Sequence, residues 1–301
     1  MFRIFRTTKI DFIGMRNRFF ILSGILVLIG LLALIQVSRG KANLGIDFSG
    51  GAVLQLKFTH PVRTDAARYA LSQFEIQDIE LQEMIEGNRL LLRIKHQEAI
   101  DGNLRKKIEG VFTKVYPDNP FIVEGSTEIG PTVGKKLQKD AILATTLSMI
   151  GIIIYVAFRF ELRFGIAAAI ATFHDVLAIF GIFFLMDKEL TLLVVTALLT
   201  VAGYSLSDTV VVFDRIRENM RFRKKESFDQ ILNKAINDVL SRTFNTGLTT
   251  FLAVVALYFW GGEVIHDFAL AILLGVIVGT YSSWFIASPL LLFWEGESKQ
   301  R

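Results

Sequence analysis

The segment GYSLSDTVVVFDRIREN, residues 203–219, holds an aspartate, Asp208, inside an otherwise apolar run and closes on the charges Asp214, Arg215, Arg217 and Glu218. A carboxylate set in lipid costs roughly 2.5–3.5 kcal/mol on insertion scales, so such a residue pairs with a partner or lines a pathway. Asp208 is therefore the first functional candidate. What surrounds it decides the fold.

The apolar run around Asp208 covers residues 190–213, enough to cross about 30 Å of hydrocarbon at 1.5 Å per residue. Similar runs lie at 19–37, about 139–158, 164–186, about 243–260 and about 265–294, the last tilted or extending past the bilayer. The chain is 52% hydrophobic, above the roughly 45–50% of soluble domains, and the excess sits in these runs. The fold class is a polytopic α-helical membrane protein with six transmembrane helices. With no cysteine in the sequence, disulfides, thiol nucleophiles and cysteine metal sites are excluded. The net charge of +4 sits beside apolar runs, where topology explains it better than nucleic acid does.

Lysine and arginine crowd the N-terminal segment 1–18, the links 159–163 and 214–242, and the tail 295–301. The link 187–189 has a single lysine and 261–263 has none. The positive-inside rule then places both termini in the cytoplasm and residues 38–138 outside. Residues 1–18 read as a membrane-skimming lead-in, and 19–37 as a retained helix rather than a cleaved signal.

Residues 38–138 change character, with charges throughout. GAVLQLKF (51–58) alternates as a strand, Pro61 opens a helix to about 74, and 76–84 and 89–95 flank a Gly87-Asn88 turn. A helix from 98 to about 113 and a strand at 121–129 complete β-α-β-β-α-β, a small α+β ferredoxin-like extracytoplasmic domain. That fold hosts many functions and decides none. In the fourth link, Ser227 and Gln230 form a capping-box signature. Residues 227–240 then read as an amphipathic helix on the cytoplasmic membrane surface or on a partner's face.

Polar residues inside the runs are the site candidates. Val201, Tyr204, Ser205, Asp208 and Arg215 share one helical face, and Ala202, Gly203 and Ser207 permit close helix approach. Asp208 either sits near the cytoplasmic interface, paired with Arg215 or solvated, or works inside the bundle. Asp238 and Arg242 are spaced as an i,i+4 pair at the start of the fifth span, and Thr246, Thr249 and Thr250 continue a polar stripe. Arg242 either snorkels to phosphates or faces Asp208. His174 and Asp175 diverge by about 100° on their helix and lack a third ligand, so a buried hydrogen-bonded pair fits better than a metal site, with a proton relay as the alternative. There is no phosphate loop and no Gly-x-Ser-x-Gly elbow, so no enzyme chemistry is expected. An intramembrane aspartyl protease built on Asp175 and Asp208 lacks the expected tyrosine and glycine before them, where His174 and Ser207 stand.

LGIDFSGG (44–51), EIGPTVGKKL (128–137), FHDV (173–176) and the 203–219 segment, in this order, together resemble the SecF branch of the SecD/SecF family, bacterial protein-export membrane subunits of the RND superfamily. The resemblance implies a half-transporter in the bacterial inner membrane that pairs with SecD, joins the SecYEG channel and YajC, and uses the proton gradient, or sodium in some relatives, to help move preproteins outward. It implies ion-coupling roles for Asp208, Arg242 and Thr246, and motif positions at Asp47, Gly50, Gly51, Gly203, Asp214 and Arg215. It implies no cofactor and no nucleic acid. The alternatives are a non-coupling scaffold for SecD and the channel, or an RND-type exporter of small molecules or lipids.

Overall fold

In the computed structural model, residues 8–74, 76, 79–84, 87–94, 103–222 and 226–294 are described. They divide into two compact units, residues 44–142 and the remainder.

The smaller unit opens with a short helix, α2 (Ile46–Ser49), and strand β1 (Gly51–Phe58). Helix α3 (Thr64–Ser72), the hairpin β2 (Ile79–Met84) and β3 (Arg89–Ile94), helix α4 (Asn103–Val115) and strand β4 (Phe121–Ile129) follow. The sheet is antiparallel in the order β2-β3-β1-β4, the split arrangement that β-α-β-β-α-β demands. Period-two alternation does the work in β1 and β3. Leu54 pairs with Leu92 and Leu56 with Leu90, and all four are buried under Ala67, Leu71, Ile108 and Phe112 of the two helices. Gly87 and Asn88 make the hairpin turn with φ of 82° and 52°.

Helix α3 starts at Thr64, not Pro61. Asn119 clamps the His60 backbone, accepting from its N–H at 2.8 Å and donating to its C=O at 3.0 Å, so the chain stays extended past the proline. The expected helix start at 98 and the strand end at 95 lie outside the described residues. Gly50 and Gly51 adopt φ of +74° and +139°, and a Cβ on Gly51 would sit 2.2 Å from the Ile94 carbonyl oxygen. The motif glycines thus turn α2 into β1 at close quarters. Asp47 lies in the first turn of α2.

A bulge in β4 falls at Glu124, because Gln55 pairs with Gly125 while Leu56 pairs with Val123. The extra residue aims Glu124 at Arg89, 2.5 Å away, and Lys57, 3.4 Å away. Arg89 first, then Lys57, hold the Glu124 carboxyl below the usual range. A carboxylate depressed in the folded state stabilises above its unfolded pKa, and that support disappears as pH falls through the lower folded value. Hydrogen exchange of β1 and β4 should therefore quicken as pH drops below about 4.5. Arg89→Ala should flatten this dependence, and an unchanged profile would refute the assignment.

The larger unit contains α1 (Arg16–Ser38), α6 (Leu162–Leu185), α7 (Leu192–Phe222), α8 (Phe228–Trp260) and α9 (Glu263–Ser282), and α5 (Pro131–Arg159) links the two units in sequence. Among the described residues, six helices are long and apolar enough to cross a membrane. Pro131 occupies the first helical position, so α5 begins before the apolar run. After α9 the last span continues as a π turn (Ser283–Ala287), a turn of α-helix (Ser288–Leu290) and a 3-10 turn (Leu291–Trp294). Helix α6 is central, packing on α1, α7 and α9.

Two expectations change. The amphipathic stretch 227–240 and the fifth span are a single 33-residue helix, α8, started by the Ser227–Gln230 capping box. Its apolar face does not lie on lipid, because Phe228, Leu232, Ala235, Ile236 and Leu240 are buried against Phe213, Ile216, Phe12 and Ile13. The described part of the lead-in, from residue 8 on, is equally packed. Asn237 accepts from the Ile10 N–H and donates to its C=O, and Asn233 accepts from Ile13 N–H and donates to Asp11. These amides strap residues 10–13 to α8.

Candidate functional site

Asp208 lies near the middle of the 31-residue α7. It is only partly exposed, and its buried Oδ2 finds no hydrogen-bond partner among the described residues. An orphaned carboxylate oxygen in an apolar setting is expensive. Arg215 does not relieve it: that guanidinium donates to Asp238 on α8, from Nη2 at 2.8 Å and Nε at 3.0 Å, and to Glu218 at 2.6 Å. The expected pairing of Asp208 with Arg215 is therefore corrected. Helix α7 runs on to Phe222, which places Arg215 two turns beyond.

A cleft of about 100 Å³ between α7 and α8 is lined by Tyr204, Ser207, Asp208, Arg242, Thr243 and Thr246, with Val211. Ser283 and then Arg242 stand near enough to act on the Asp208 carboxyl. No ion pair within 4 Å joins Arg242 to Asp208 among the described residues. The expected Asp238–Arg242 pair does not form either, because Arg215 occupies Asp238. The threonine stripe is partly dispersed. Thr246 faces the cleft and donates to the Arg242 carbonyl at 2.9 Å. Thr249 donates to the Thr246 carbonyl, and Thr250 interacts with the Tyr204 phenol.

Beside the cleft is a second polar cluster. Asp175 on α6 is wholly buried. Its Oδ1 lies 2.8 Å from His174 Nδ1, and its Oδ2 accepts from Ser205 on α7 and from Ser282 on α9 at 2.8 Å. Three helices are thus pinned at one carboxylate, which favours the hydrogen-bonded pair expected for His174 and Asp175. Ser283, the next residue, shares a 2.9 Å hydrogen bond with Thr209, and Ser288 donates to the Ser283 carbonyl across the π turn. Ser282, Ser283 and Thr209 escaped the sequence reading, although adjacent serines inside an apolar span were a visible signal. The π turn was not, and such turns recur at functional sites. Asp175→Ala would remove the acceptor that joins α6, α7 and α9, leaving Ser282 only the Gly279 carbonyl of its own helix, and should lower stability in detergent by about 2 kcal/mol. Asp175→Asn, keeping an acceptor, should lose less than half of that by thermal unfolding. Equal losses would argue against the pinning role.

The glycines that allow close approach lie elsewhere than expected. A Cβ on Gly203 meets open space, whereas one on Gly275 or Gly279 of α9 would strike Val201 or Ser205 at 2.2 and 3.0 Å. Ser207 is exposed too. Asp214 is bound within the chain, 3.2 Å from Arg159 at the end of α5.

A family profile described as "Protein export membrane protein SecD/SecF, C-terminal" matches residues 108–297, and one described as "SecD/SecF GG Motif" matches residues 42–62. The chain is 48% identical over 295 residues to the protein translocase subunit SecF of Thermodesulfovibrio yellowstonii, covering 97% of each. It is 40% identical to the SecF of Endomicrobium trichonymphae, covering 99% of this chain and 96% of that one. A crystal structure of SecDF from Thermus thermophilus, described as a translocon-associated membrane protein, superimposes with a TM-score of 0.82 at 32% identity. The match covers 96% of this chain and 39% of that longer one. On these matches and on the six-span architecture that carries them, the chain belongs to the SecD/SecF family of protein-export membrane proteins.

Proposed function

We propose that the chain is the SecF-type accessory subunit of bacterial protein export, in the inner membrane with both termini cytoplasmic and the α+β domain outside. It pairs with a SecD-type subunit, joins the SecYEG channel, with YajC as a further component, and converts the proton-motive force into outward movement of preproteins. The observation that carries this reading is the unpartnered, buried Asp208 oxygen in a cleft shared with Arg242 and Thr246. A structural carboxylate would be satisfied, as Asp175 is. One left unsatisfied is poised to take up a cation.

In the cycle, Asp208 accepts a proton from the outer side through water between α7 and α8. Neutralisation weakens its attraction for Arg242, the two helices rearrange, and release of the proton to the cytoplasm resets them. Only a difference in proton affinity between the two arrangements can drive work on the outer domain. The test is preprotein export into vesicles containing the channel, a SecD-type partner and this chain, with the proton and sodium gradients collapsed separately. Stimulation should vanish when the proton gradient is collapsed, or when Asp208 is replaced by Asn. Loss on collapsing sodium alone would assign the same site to Na⁺, and export indifferent to both would leave a scaffold.

A further inference from the structure

The Arg215–Asp238 ion pair crosses the same two helices as Asp208 and Arg242, with the charges exchanged: here α7 supplies the cation and α8 the anion. Its position follows from helical spacing. On α7 the cleft is lined by Asp208 and Val211, and Arg215 stands one turn beyond Val211 on the same face. On α8 the cleft is lined by Thr246 and Arg242, and Asp238 stands one turn beyond Arg242. The pair therefore lies one turn past the cleft's lining, toward the α7–α8 link. On the far side Asp238 lines an open cavity of about 640 Å³ with Lys9, Asp11, Asn233, Lys234 and Asn237. One ion pair stands between a small cleft holding the unsatisfied Asp208 and a wide cavity.

The pair is built to hold. Both Nε and Nη2 of Arg215 donate to the same Asp238 oxygen, Asn219 adds a third donor at 3.4 Å, and Glu218 braces the guanidinium from its own helix. It is also built to exchange. Arg242 lies four residues along α8 from Asp238, within reach of its carboxylate, and forms no ion pair within 4 Å among the described residues. Asp214, the other carboxylate nearby, is held by Arg159.

We propose that Arg215 and Asp238 form the cytoplasmic gate of the Asp208 cleft, and that Asp238 is the alternative counter-charge to which Arg242 turns when the gate opens. This rests on the ion-coupling reading above. With the gate closed, as here, Arg215 holds Asp238 and the cleft is separated from the wide cavity. When Asp208 is neutralised, Arg242 is drawn to Asp238, Arg215 is displaced, and the proton on Asp208 gains a route to the cytoplasm.

The absence of cysteine from the sequence makes the test direct. Thr243→Cys places a thiol on the buried wall of the cleft, and a membrane-impermeant maleimide is added from the cytoplasmic side to vesicles holding this chain with its SecD-type partner. Arg215→Gln and Asp238→Asn should each raise the labelling rate by at least about fivefold. The double variant should label no faster than either single one, because both remove the same barrier. Arg215→Lys, which keeps the charge but not the two-pronged geometry, should fall between. Copurification with the partner checks assembly, and Arg215→Lys gives a reading even where a neutral variant assembles poorly. Labelling at the parent rate in the variants, or rates that multiply in the double variant, would overturn the gate. Labelling depends on access and not on export, so failure of the gate and failure of ion coupling at Asp208 give different results.

Discussion

Asp208→Asn should abolish gradient-driven stimulation of export, returning it to the rate without a gradient, while leaving the chain at least as stable as before. The two halves of this result have opposite physical origins. Asn keeps the shape and one acceptor oxygen but neither ionises nor titrates, so an ion cycle through position 208 stops. The native carboxylate, however, carries a buried oxygen without a hydrogen-bond partner among the described residues. Its replacement leaves a polar atom at that position but removes the charge, the costlier part of burying it unsatisfied. Thermal unfolding in detergent should show no loss, and assembly with a SecD-type partner should persist. A scaffold role predicts the reverse: weaker assembly, lower stability, and an export defect that follows complex loss. Normal stimulation by the asparagine variant would end the coupling proposal.

Gly30→Leu should destabilise the bundle by about 3 kcal/mol or more, at the upper end of what overpacking costs. A Cβ on Gly30 would lie 2.3 Å from the Leu177 carbonyl oxygen of α6, and one on Gly181 would lie 2.8 Å from the Gly30 nitrogen. Helices α1 and α6 touch backbone to backbone at this point, so no rotamer can accommodate the added side chain. The clash forces α1 away from α6 and strains its other ties to the bundle, the Ser23–Tyr281 hydrogen bond and the Phe19–Phe285 stack at 3.7 Å. Gly24 supplies an internal control on the same helix, since a Cβ there meets nothing within 4 Å. Gly24→Leu should be neutral or slightly stabilising through helix propensity. Equal unfolding temperatures for the two variants would show that the contact carries no weight. Small residues at such crossings are the usual device where lipid offers no hydrophobic drive for helices to pack.

The Asp238 and Arg215 positions show how a local rule can mislead. Spacing of four residues on a helix made Asp238 and Arg242 look like partners, a pairing worth only about 0.2–0.5 kcal/mol on a helix surface. A two-pronged guanidinium arriving from α7 outcompetes it, because charge-assisted bonds of fixed geometry are the stronger kind. The pairing of Asp208 with Arg215 failed for the same reason, since Asp238 holds that guanidinium. The apolar run ends near 213, but the helix continues to Phe222, so the end of the hydrophobic pattern is not the end of the element.

By itself the sequence determined the six spans, the β-α-β-β-α-β order and its sheet, and the candidacy of Asp208, Arg242 and Thr246. Each depends on local chemistry: runs long enough to replace water by lipid, alternation that fits a pleat, and a carboxylate where none is cheap. Only the tertiary structure decided who meets whom. It joined the amphipathic stretch to the fifth span in one helix, gave Asp238 to Arg215, and gathered Ser205 and Ser282 at Asp175. It left Asp208 unsatisfied in a shared cleft. Partners in a helical bundle are chosen by rotation and register between elements, and those depend on side-chain packing summed over several helices. No window of sequence contains that sum.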